Sequence, residues 1–269
     1  MRSNGLPDLD PVSVDRSDGT GAPVFICEHA TNRLPEEFSD MGLSASDLES
    51  HIAWDPGAAD LARYLSERFD APLVTAGVSR LLYDCNRPPD HPGAVPARSE
   101  ATDIPANTDL DAKSLAARAD RIYHPFRNAA EDLIDERLAR GLNCAVITIH
   151  SFTPVYLGKV RPVEIGVLHD KDTRLADAML TDRASDAGFR FERNQPYGPE
   201  DGVTHSLKIY GVERGLPNVM IEVRNDLLSD ADRAQRVAIA LEEKIRAALQ
   251  AIGLGAPTKR ASESAVPNG

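Results

Sequence analysis

Pro23-Val24-Phe25-Ile26-Cys27-Glu28-His29 and Ala145-Val146-Ile147-Thr148-Ile149-His150 are the stretches on which the reading of the fold turns. Each is short, apolar, rich in β-branched residues and bounded by loop-like sequence, the pattern of a buried strand. Each ends in a histidine. Ligands of an open α/β sheet bind just beyond the carboxyl ends of its strands. Two imidazoles at two such ends therefore point to one shared site, and histidine is the commonest metal ligand.

Around these runs, strands alternate with helices. Ser44 with Asp47 forms a capping pair for a helix start. Asp55-Pro56-Gly57 opens a helix to about Phe69, with Asp55 as cap, Pro56 at its first position and Leu61, Leu65 and Phe69 on one face. Strands are expected over residues 72–76, 80–85, 163–168, 189–193 and 219–223. Helices are expected over 110–141, kinked or broken by Pro125, over 173–187, and from Ser229 to about Ile252. Residues 88–107 carry no structural signal, as functional loops and lids often do. The expected organisation is one α/β domain over 22–254, between a flexible arm (1–21) and a disordered tail (255–269).

The 269 residues carry a net charge of −12, with no basic cluster. That disfavours nucleic acid and anionic membrane surfaces as partners. No apolar run nears the roughly 20 residues of a membrane helix, and residues 1–21 lack the apolar core of a signal peptide. Three cysteines without CxxC spacing read as reduced thiols. A cytoplasmic protein, monomer or homodimer, is expected, and any anionic substrate would have to be met by local arginines against the global field.

His29 and His150 head the candidate site residues, the bland alternative for either being a bond to backbone. His51 and Asp55 lie four residues apart, so Asp55 reads equally as ligand or as helix cap. Glu28 is a further potential ligand. Asn86-Arg87 has the donors to grip a carboxylate, whereas Arg80 and Asp84 also read as a surface ion pair. Glu222 sits inside the apolar run 219–223. A carboxylate there needs a partner or a function, such as general base with a raised pKa. Cys27 and His29 share a strand face, which permits a cysteine-hydrolase reading, although a small core residue is the simpler account of Cys27. A binding module without catalysis is the non-enzymatic alternative.

Five ordered motifs together carry a resemblance: Cys27 to Pro35, His51 to Ala58, Ser79 to Arg87, Ile149 to Pro154, and Ile221 to Leu227. With them the chain resembles the N-formylglutamate amidohydrolases over most of residues 22–230. The resemblance implies a three-layer phosphorylase/hydrolase-like fold similar to the zinc exopeptidases, with a central mixed sheet flanked by helices. It implies one divalent ion, zinc, on His29, His150 and a third ligand. Relatives supply that ligand three residues after the first histidine, where this chain has Asn32. Asp55 takes the role here, with His51 or Glu28 as substitutes. It further implies Glu222 as general base, Asn86 and Arg87 on the substrate α-carboxylate, and Arg80 or Arg161 on the oxyanion or a second carboxylate. The expected reaction is hydrolysis of N-formyl-L-glutamate to formate and L-glutamate.

Overall fold

The computed structural model describes residues 9–181 and 186–255. A seven-stranded mixed sheet runs through it. Its strands in chain order are β1 (Val12–Asp15), β2 (Pro23–Cys27), β3 (Leu73–Ala76), β4 (Ala145–Phe152), β5 (Ile165–Leu168), β6 (Phe191–Arg193) and β7 (Asn218–Arg224). Across the sheet the order is β1-β3-β2-β4-β7-β5-β6. β3, β2, β4 and β7 are mutually parallel, β1 and β5 run antiparallel to their inner neighbours, and β6 is parallel to β5.

The two quoted stretches become β2 and β4, side by side at the centre and buried along their whole length. Continuous burial explains why both read as unbroken apolar runs rather than as alternating ones. Phe25, Ile147 and Ile221 face α2 (Ala58–Phe69), α5 (Arg174–Thr181) and α6 (Ala231–Ala251). Val24, Ile26 and Val146 face the other way, onto α4 (His124–Ala139) and the long segment after β3. Helices on both faces of a parallel centre make three layers.

Local signals act largely as expected, with several corrections. Ser44 and Asp47 form a reciprocal capping box on a short helix, Ala45–Glu49. The cap of α2 lies two residues after Asp55: Gly57, at φ 81°, takes that position without a side-chain bond. A Cβ on Gly57 would lie 2.6 Å from Leu228 Cβ, so glycine is required there both for φ and for space. α6 is capped by Asp230, which accepts from the Arg233 amide, one residue after the expected Ser229. The 110–141 helix passes through one π-helical turn, Ala119–Tyr123, just before Pro125. Pro125 thus falls in the first turn of α4, where its missing N–H costs that helix no hydrogen bond.

Two segments differ in kind. Residues 80–85 are not a strand: the chain turns back at Leu82 N to Ser79 O (3.0 Å) and again at Arg87 N to Asp84 O (3.0 Å). Leu81, Leu82, Tyr83 and Cys85 are all buried, a pattern without the alternation of a half-exposed strand. The part of the expected arm that is described is ordered. Leu9 is buried, β1 closes one sheet edge against β3, and buried Arg137 donates to the carbonyls of Gly19 and Gly21. Residues 1–8, 182–185 and the expected tail from 256 onward lie outside the described residues. Residues 88–107 are packed around buried Ile104 and Asn107 and hold a small hairpin, Arg98–Ser99 with Thr102–Asp103. No helix among the described residues is long and apolar enough to cross a membrane.

Candidate active site

His29 lies two residues beyond β2, and His150 lies within the last turns of β4. Asp55 comes from the loop before α2, freed from capping by Gly57 and held by its backbone N–H to His29 O (2.9 Å). The three side chains converge. Asp55 Oδ2 is 3.2 Å from His29 Nδ1 and 2.9 Å from His150 Nδ1, and the two Nδ1 atoms are 3.3 Å apart. All three residues are buried. Donors at the corners of a tetrahedral zinc site, each about 2.0–2.1 Å from the ion, stand about 3.3 Å from one another. The donor set and its spacing therefore fit a single divalent ion. Among the described residues this is the group of histidine and carboxylate side chains spaced to hold a metal. His51 and Glu28 stand outside it. His51 Nε2 pairs instead with Glu100 (3.0 Å), and Glu28 approaches His150 from its other nitrogen, Nε2 (3.2 Å).

Glu222 is the neighbour of His150 on β7 and is buried. Burial, with the Asp55 charge, pushes its carboxyl up to about 7 against the pull of His150, His29 and Arg80. Its Oε2 has no hydrogen-bond partner. Asp55 and Asp84 behave oppositely. Burial works to raise both, but His29 with His150 for the first, and Arg80 with His29 for the second, hold them well below the ordinary carboxylate range. Burial likewise works to lower both histidines, yet the facing carboxylates hold them above the usual imidazole value.

Arg80 stands over this cluster, 2.6 Å from Asp84 and 3.5 Å from Asp55. It lines a cavity of about 240 Å³ together with Asp84, Arg87, His91, Arg98, Glu100 and Tyr156. Arg87 donates to the carbonyls of Asn86 and Gly202. Asn86 is buried. Its amide nitrogen donates to Val203 O (2.6 Å) and its oxygen accepts from Ser206 N (3.0 Å), so both ends are engaged by backbone. Arg161 donates to Tyr197 Oη (2.8 Å) and stacks on the rings of Tyr156 and Tyr197, 4.4 and 4.7 Å away. A larger cavity, about 600 Å³, is lined by residues such as Thr20, Leu142, Arg246 and Leu254, with no histidine, cysteine or carboxylate among them.

Cys27 is buried, and its thiol is pushed well above its ordinary value by burial and then by Asp55 and Glu28. A protonated core thiol is a poor nucleophile, which favours its packing role. Asp84 is the residue that sequence reasoning undervalued. It is no surface ion pair: it accepts from the Asn86 amide (3.0 Å) and meets His29 Nε2 at 2.7 Å. Its place two residues before an Asn-Arg pair was the available signal.

The sequence profile of the family described as N-formylglutamate amidohydrolase matches residues 22–229. No curated protein gives a significant match to the chain. The crystal structure of gene product Atu2144 from Agrobacterium tumefaciens is similar to this chain at 50% identity and a TM-score of 0.86, covering 90% of this chain and 96% of that one. The N-formylglutamate amidohydrolase from Ralstonia eutropha JMP134 is similar at 18% identity and a TM-score of 0.66, covering 89% and 97%. The second likeness is one of fold.

Proposed function

Because the chain belongs to the N-formylglutamate amidohydrolase family, we propose that it hydrolyses the amide of an N-formyl acidic amino acid, N-formyl-L-glutamate first among them, to formate and the free amino acid. The observation that carries the reading is buried Glu222, held near neutral beside the convergent His29, Asp55 and His150.

His29, Asp55 and His150 would hold the ion, zinc by this donor set. Three protein donors with an open fourth position are the pattern of a catalytic site. When bound, the ion supplies Lewis acidity toward the formyl oxygen and lowers the pKa of water toward about 7. The chain's own residues supply the rest. Glu222 takes the proton of the attacking water and returns it to the amide nitrogen as the C–N bond breaks. Arg80, which borders the cavity beside Asp55, offers positive charge to the developing oxyanion.

Arg87 binds a substrate carboxylate from the same cavity, and Asn86 braces it by tying the segment 203–206 into place. Arg161, clamped between Tyr156 and Tyr197, is a second anchor for a diacid. Arg80, Arg87 and Arg98 line the cavity with Asp84 and Glu100, so on a protein whose net charge is −12 selection of an anion rests on local arginines and not on the overall field.

The test is formate release from N-formyl-L-glutamate by zinc-loaded and chelator-stripped protein. Release by the loaded form alone supports ion, reaction and substrate together. No release from either removes the substrate assignment, and other N-acyl amino acids are then the substrates to assay.

A further inference from the structure

Glu28 is buried, 1% exposed, and neither of its carboxylate oxygens has a hydrogen-bond partner of good geometry. A buried carboxylate needs a compensating charge or donor. Two groups answer it: the Ser206 hydroxyl, and His150 Nε2, 3.2 Å from Glu28 Oε2 and itself without another partner. The opposite nitrogen of the same ring, Nδ1, is the one that meets Asp55. One edge of the His150 imidazole thus faces the donor cluster, and the other faces a buried anion.

We infer that Glu28 is a positioning residue for His150. It accepts the Nε2–H, fixes that tautomer, and turns the Nδ1 lone pair into the ion site. The inference rests on the metal reading of His29, Asp55 and His150. It places Glu28 behind a ligand instead of among the ligands. A carboxylate on the far nitrogen of a metal-binding histidine orients the ring and raises its basicity. His29 has the same arrangement through Asp84 at its Nε2, 2.7 Å away. Asp84, however, is also bound to Arg80 and the Asn86 amide, so its removal would disturb more than His29. Glu28 gives the cleaner test.

The experiment measures zinc affinity by chelator competition for the wild type, Glu28→Gln and Glu28→Leu, the unfolding temperature of each metal-free protein, and the His150 tautomer in the zinc-loaded wild type by ¹⁵N NMR. Zinc binding should weaken about 10-fold in Glu28→Gln and up to about 100-fold in Glu28→Leu, without a fall in metal-free unfolding temperature that would signal lost folding. His150 should carry its proton on Nε2. Wild-type affinity in both variants, or a proton on Nδ1 in the loaded wild type, overturns the inference while leaving the metal site standing. A wild type that takes up no zinc overturns the metal reading itself, and the inference with it.

Discussion

Glu222 and His150 are register partners on the adjacent parallel strands β7 and β4. Side chains at one register level of a sheet point to the same face. A glutamate inside one apolar strand therefore stands beside a histidine inside another. The sheet holds the pair in place, with no loop needed to bring them together.

Glu222→Gln keeps the shape of the side chain and removes its basicity. Turnover should fall by about 10²–10⁴, while bound zinc, counted by elemental analysis, stays at the wild-type level. Loss of the metal along with activity would make Glu222 a ligand and end its role as base.

The raised carboxyl of Glu222 has a consequence for stability. In the fold it holds its proton up to about 7, whereas an unfolded chain releases it near the ordinary 4.5. Between those values the fold binds the extra proton, so stability falls as pH rises across that window and is flat above it. Denaturant titrations of metal-free wild type and Glu222→Gln, subtracted from each other, should show this fall, on the order of 3 kcal/mol. Parallel curves for the two proteins would refute it.

His51 is bound to Glu100, away from the cluster. His51→Ala should therefore retain zinc, while Asp55→Ala should lose it. The reverse result in elemental analysis would transfer the third ligand to His51.

Arg87→Ala should raise KM for the acidic substrate by about 10–100-fold, with kcat changed far less, because the lost contact to a carboxylate serves ground state and transition state alike. An unchanged KM would remove Arg87 from the carboxylate site.

A chelator should abolish activity, whereas a thiol alkylating reagent should leave it intact, since Cys27 is buried and its thiol stays protonated. Activity that survives the chelator and dies with the thiol reagent would reinstate the cysteine mechanism.

What could be read before folding was what repeats along the chain or sits at its punctuation. β2 and β4 announced themselves through unbroken β-branched runs, the short helix Ala45–Glu49 through Ser44 and Asp47, and the proline-disturbed helix through Pro125. β1 escaped because a strand of four residues at the sheet edge, Val12-Ser13-Val14-Asp15, buries little and is half polar. Residues 80–85 misled because complete burial of an irregular segment writes the same apolar pattern as a strand. Asp55 was legible as a cap or a ligand; the structure gives the cap to Gly57 and turns Asp55 toward both histidines.

The sequence by itself determined the alternation of strands and helices, the histidines at the central strands, the glutamate in an apolar setting, and a set of motifs specific enough to mark the family. These depend on local periodicity and residue type, which the chain carries whether folded or not. The tertiary structure decided who faces whom. It placed Asp55 against both histidines, Asp84 and Glu28 on the far nitrogens of His29 and His150, and Asn86 against backbone instead of open space. Those residues are separated from their partners by up to about 120 positions. Their protonation and reach follow from burial and from charges that only packing brings within a few ångströms.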